Sequence, residues 1–153
     1  MATVVSAAGP GSGSAWRELG YAVIRRPDVG VGQVATDIVA GILGPGARAV
    51  ASRVDVAAPG THGSPWRTAG PGARPAVAVW HALTAATLEN GCPWVVPGSH
   101  AGEVGDHDRD GAVPVVLEPG DVLVIDTRLR HRPGDNHSHQ TRVVVVVDYA
   151  APR

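Results

Sequence analysis

The stretch LEPGDVLVIDTRLRHRPGDNHSHQTRVVVVVDY, residues 117–149, decides the fold. It holds two β-branched apolar runs, GDVLVIDT and TRVVVVVDYA, the second running on to Ala150. Pro133, Gly134, Asp135 and Asn136 between them are turn formers. In the second run Arg142, Val144, Val146 and Asp148 share one face by alternation. The same period appears upstream in ARAVASRVDVAA (47–58), PAVAVWHAL (75–83), CPWVV (92–96) and AVPVVLE (112–118). Short strands separated by Gly, Pro, Asn and Asp clusters predict a mainly β chain, folded as a β-sandwich or jelly roll.

Helix is confined to the N-terminal third. AWRELGYAVIRR reads as a short helical turn followed by a strand from Tyr21 to Arg25. VGVGQVATDIVAGILGPG places Val34, Ile38 and Ile42 at helical spacing and stops at Gly44-Pro45. Residues 1–14 end in GPGSGS and are expected to be flexible, leaving 15–153 as a single domain. THGSPWRTAGPGARP (61–75) and GSHAGEVGDHDRDGA (98–112) read as loops, where function usually sits on a β scaffold.

Composition narrows the function classes. The chain has 153 residues, a net charge of −1, one Cys and no Phe. All thirteen basic residues are Arg, scattered along the chain, so nucleic-acid binding has no electrostatic footprint. The wealth of Ala, Val, Gly, Pro and Arg points to a GC-rich, actinobacterial genome. A lone Cys92 excludes an intrachain disulfide and a Cys-based zinc site. No apolar run has membrane-spanning length, and the N-terminus lacks a signal-peptide pattern, so a cytoplasmic protein is expected. The expected partner is a small-molecule substrate, with neither nucleic acid nor membrane; a homodimer stays open.

Two blocks carry a resemblance. Glu89-Asn90-Gly91 leads to Pro97-Gly98-Ser99-His100; Gly120-Asp121, His131, Asn136 and Arg142 follow. Together they resemble the phytanoyl-CoA dioxygenase family of iron(II)/2-oxoglutarate oxygenases. WRELGYAVIRR is similar to that family's N-terminal entry. The resemblance implies a double-stranded β-helix, or jelly roll, with one or two N-terminal helices. It makes His131 the distal iron ligand and Arg142 the anchor of the 2-oxoglutarate carboxylate. A guanidinium offers a two-pronged fork for such a group. A cupin-type jelly roll is the runner-up fold, but its His-x-His motif is missing.

The resemblance also exposes a gap. The facial triad needs a His-x-Asp after a Trp, and Trp66 is followed by Arg67, Thr68 and Ala69. Arg cannot ligate iron, and Ala has no donor. His62, with Ser64 two residues on, is the alternative metal ligand beside His131. The expected cofactor set is therefore none, with Fe(II) and 2-oxoglutarate as the alternative. The chain is also short for the family, which leaves little for a lid.

Candidate catalytic residues are His131, His81, Arg142 and Arg67; Trp66, Trp80, Asn136 and Arg142 are the candidate substrate contacts. His81 lies in a strand that lines the pocket in related proteins and is read as an inward acid–base group. Its plainer reading is a half-buried strand histidine. His100 is read as structural, while His107, His137 and His139 are read as solvated. The reading favoured is a metal-independent tailoring enzyme performing cyclisation, isomerisation or dehydration of a natural product. The alternatives are an iron(II)/2-oxoglutarate oxygenase with unusual ligands and a non-catalytic binding or accessory protein.

Overall fold

The computed structural model describes residues 12–25, 31–69, 73–101 and 111–153. Helix α1 (Ser12–Leu19) leads into β1 (Tyr21–Ile24), and α2 (Val31–Leu43) into β2 (Arg48–Ala57). β3 (Ala76–Ala82), β4 (Pro93–Val95), a 3-10 turn at Ser99–Ala101, β5 (Val113–Pro114), β6 (Val122–Asp126), β7 (His131–Pro133) and β8 (Arg142–Ala150) complete the chain. α1 begins inside the stretch expected to be flexible, because SGSAWREL closes a helical turn on Gly20, whose amide bonds to Trp16 O at 2.8 Å. Residues 1–11 and His107 lie outside the described residues.

The strands form two antiparallel sheets, a five-stranded one in the order β1-β6-β3-β8-β2 and a three-stranded one in the order β5-β4-β7. This is the expected mainly β jelly roll, with few helices. Alternation splits the larger sheet into two packed faces. One presents Tyr21, Val23, Ala78, Trp80, Leu123, Ile125, Val144 and Val146 to the smaller sheet, where Cys92, Val95, Val115 and Leu129 meet them. The other presents Ile24, Val77, Val79, Val122 and Val124 to Val39 of α2, with Ile38, Ile42 and Trp16 around it. Burial of apolar area on both faces is the main stabilising force.

Two local devices fix the entrance and the frame. Gly20 has φ +79°, and a Cβ there would strike the His100 ring. His100 accepts this packing because its Nε2 donates to Arg17 O at 2.8 Å, tying the 3-10 turn to α1. At Gly120-Asp121 the buried Asp121 carboxylate accepts from Glu118 N at 2.8 Å and from Arg25 Nη1 at 2.7 Å. That pair anchors the end of β1 to the start of β6.

Candidate functional site

The site lies where the two sheets face one another, around His131 at the start of β7. An antiparallel bridge joins His131 to Arg67, with Arg67 N to His131 O at 2.9 Å and His131 N to Arg67 O at 3.0 Å. In such a pair both side chains point to the same side. Arg67 thus stands next to His131, as expected from the motif gap. Nδ1 of His131 lies 2.7 Å from Leu129 O, so it carries the proton and donates. Nε2 keeps its lone pair and has no hydrogen-bond partner among the described residues. The Trp80 ring stands edge-on to the imidazole, with centroids 6.5 Å apart. Burial holds the His131 pKa below its ordinary value; the Leu129 carbonyl opposes this, while Arg67 and Arg53 add to it. The resting side chain is a neutral base.

Arg142 lies on the same inner face, fully buried at the start of β8. Its Nη2 reaches Asp55 Oδ2 on β2 at 3.3 Å, while Nε and Nη1 are buried without a partner. Open donors on a buried guanidinium fit an anionic group such as a carboxylate. Trp80 Nε1, also buried and unpartnered, adds a third open donor. A second pair, Arg53 Nη1 to Asp148 Oδ2 at 3.2 Å, runs between the same strands. Asp55, Arg53 and Asp148 were not among the sequence candidates. Their signal was there: SRVDVA and TRVVVVVDY each carry an Arg and an Asp in the same alternation phase.

Several expectations change. His81 pairs with Val145 and Val122 and shares its face with Val77 and Val79, opposite to Trp80. It therefore does not turn toward His131; its Nδ1 is buried without a partner, and burial lowers its pKa. Trp66 neighbours Arg67 and so lies on the other side of the bridge, where the Arg132 guanidinium sits 5.8 Å from its ring centroid. Asn136 is no substrate contact. Its Nδ2 donates to Ala57 O and Gln140 O, both at 2.8 Å, and its Oδ1 accepts from Ser138 N and Oγ. Every valence is used inside the protein.

The donor set does not fit iron. His131 offers one nitrogen, Arg67 stands beside it, and Ala69 has no side-chain donor. His62 is exposed, and the next residue's amide, Gly63 N, donates at 2.6 Å to Asp135, whose other oxygen lies 3.8 Å from the exposed His137. Among the described residues no three His, Cys, Asp or Glu side chains could hold a metal. A carboxylate does fit the open donors of Arg142.

The two-sheet frame, with a histidine and a buried arginine facing inward at strand ends, defines a jelly roll of the oxygenase type. The chain belongs to the phytanoyl-CoA dioxygenase (PhyH) family, whose model matches residues 47–144. It is 37% identical over 78 residues to the dioxygenase lolE1 of Epichloe uncinata, covering 44% of this chain and 30% of that protein. Against the iron/alpha-ketoglutarate-dependent dioxygenase ausU of Aspergillus calidoustus it is 46% identical over 65 residues, 42% of this chain and 22% of that protein. The chain thus spans about a third or less of these curated relatives. They are fungal and give the actinobacterial origin no support. The crystal structure of EvdO2 from Micromonospora carbonacea var. aurantiaca matches all of this chain and 95% of its own, with TM-score 0.78 and 20% identity, a likeness of fold. No helix among the described residues is long and apolar enough to cross a membrane.

Proposed function

We propose that the chain is a small-molecule tailoring enzyme, a natural product being its substrate, that uses the oxygenase scaffold for proton transfer without bound iron. The observation that carries this reading is the Arg67–His131 pair, which sets a permanent cation beside a neutral imidazole where a metal ligand would stand. His131 Nε2 takes a proton from a carbon next to a carbonyl group. The guanidinium of Arg67 stabilises the enolate oxygen that forms, and Arg142 holds a carboxylate of the same substrate. Return of the proton to a different carbon gives an isomerisation; loss of a neighbouring hydroxyl as water gives a dehydration. Trp80 closes the wall behind the imidazole and offers Nε1 as a further donor.

The second reading is an iron(II)/2-oxoglutarate oxygenase with unusual ligands. The open donors of Arg142 favour it as much as the first, since 2-oxoglutarate brings a matching carboxylate. Elemental analysis and calorimetry separate the two. Purified protein given Fe(II) anaerobically is expected to retain well under one equivalent and, once air is admitted, to form no succinate from 2-oxoglutarate. One tightly held iron per chain with succinate release would overturn the metal-independent reading.

A further inference from the structure

β2 is the last strand of the larger sheet, hydrogen-bonded to β8 on one side only. Among the described residues no strand pairs with its other edge. Nearly its whole length is exposed, with Val50, Val54 and Val56 at 54, 61 and 56%. Such an edge is a template for another strand, and soluble proteins blunt it with proline, bulges or like charges. β2 contains no proline, and its one irregularity lies between Ala49 and Ala51, leaving 51–57 in regular register.

Its charges do not repel a copy of themselves. Arg53 and Asp55 lie two residues apart on one face. In an antiparallel pair centred on Val54, Arg53 falls opposite the partner's Asp55, and Asp55 opposite the partner's Arg53. Ser52 then meets the partner's Val56, and Ala51 the partner's Ala57. On the other face Val54 and Val56 lie beside Val145 and Val143 of β8, so two copies join these valines into one apolar stripe. Opposite charges directly across a ladder stabilise it, and like charges there oppose it.

We propose that the chain forms a twofold homodimer by antiparallel pairing of β2 with β2 of a second copy, centred on Val54. The two five-stranded sheets become continuous. The interface is self-complementary, as a twofold axis requires. It also reaches the site: the partner's Arg53 arrives at the Asp55 carboxylate that already holds Arg142.

Light scattering at tens of micromolar is expected to give twice the chain mass. Register is tested by cysteines. Residue 54 opposes itself with Cα atoms about 4.5–5.5 Å apart, within disulfide reach. Val54→Cys should therefore cross-link fully on mild oxidation. Two copies of residue 50 are offset by about 26 Å along the strands, so Val50→Cys should not cross-link. The native Cys92 does not interfere, being buried with its thiol pushed up to about 11. Val54→Lys sets ammonium against ammonium at an exposed position and should yield a folded monomer by circular dichroism and light scattering. A monomeric parent protein, equal cross-linking at 50 and 54, or a dimer that survives Val54→Lys overturns the proposal.

Discussion

His131 shows how one hydrogen bond fixes a chemical role. Donation from Nδ1 to Leu129 O selects the tautomer with a basic Nε2, and burial keeps that imidazole neutral. A pH dependence follows with a definite sign. The unfolded imidazole takes up a proton near its ordinary value of 6.5, and the folded one does so only at lower pH. Stability is therefore full above about pH 6.5 and falls as pH drops from there to the depressed folded value. Urea midpoints measured from pH 8 to pH 5 are expected to decline through that window. His131→Gln should flatten part of the decline, the remainder coming from His81, which burial depresses in the same direction. A His131→Gln slope as steep as that of the parent protein would remove His131 from the argument.

At the scale of elements, Asn136 matters more than the histidines around it. Its amide links the end of β2, through Ala57 O, to the turn at Ser138 and Gln140 that launches β8. Asn136→Ala takes this donor from the buried Ala57 carbonyl and loosens the Ser138 turn, and is expected to cost about 2–3 kcal/mol in chemical denaturation. His137→Ala next to it, at an exposed residue, should cost under about 0.5 kcal/mol. The strands themselves were legible because β-branched runs bounded by turn residues are strong local signals, and β2, β3, β4, β6 and β8 fall where they were expected. β7 was missed, since the three residues His131–Pro133 are too short to show a period. His81 does share its face with Val77 and Val79, but that face looks toward α2 and not into the site, and the misreading has a different reason. β3 is packed on both sides, so its sequence is apolar throughout and carries no inside-to-outside alternation. The Arg67–His131 bridge joins residues far apart in sequence and outside any apolar run. Only the motif gap pointed to it.

At the scale of the whole molecule, the proposed metal-free use of the family's frame can be tested by placing a histidine at residue 67 and an aspartate at residue 69. In a hydrogen-bonded antiparallel pair the Cα atoms lie about 5.5 Å apart with both side chains on one side. A histidine at residue 67 would thus place its ring next to that of His131. Residue 69, two positions on, returns to the same side if the chain stays extended. Arg67→His with Ala69→Asp is expected to bind one Fe(II) or Ni(II) per chain. Metal at a hundred times its dissociation constant should then stabilise the double variant by about 2.7 kcal/mol. The parent protein, with Arg67 beside the single imidazole, should show no such shift in the same titration. Arg67→His alone should bind more weakly than the double variant, because it supplies two nitrogens and no carboxylate. If the double variant binds no metal, the bridge between residues 67 and 131 does not reproduce the family's ligand geometry. The charge of Arg67 would then lose its meaning as a replacement for the metal.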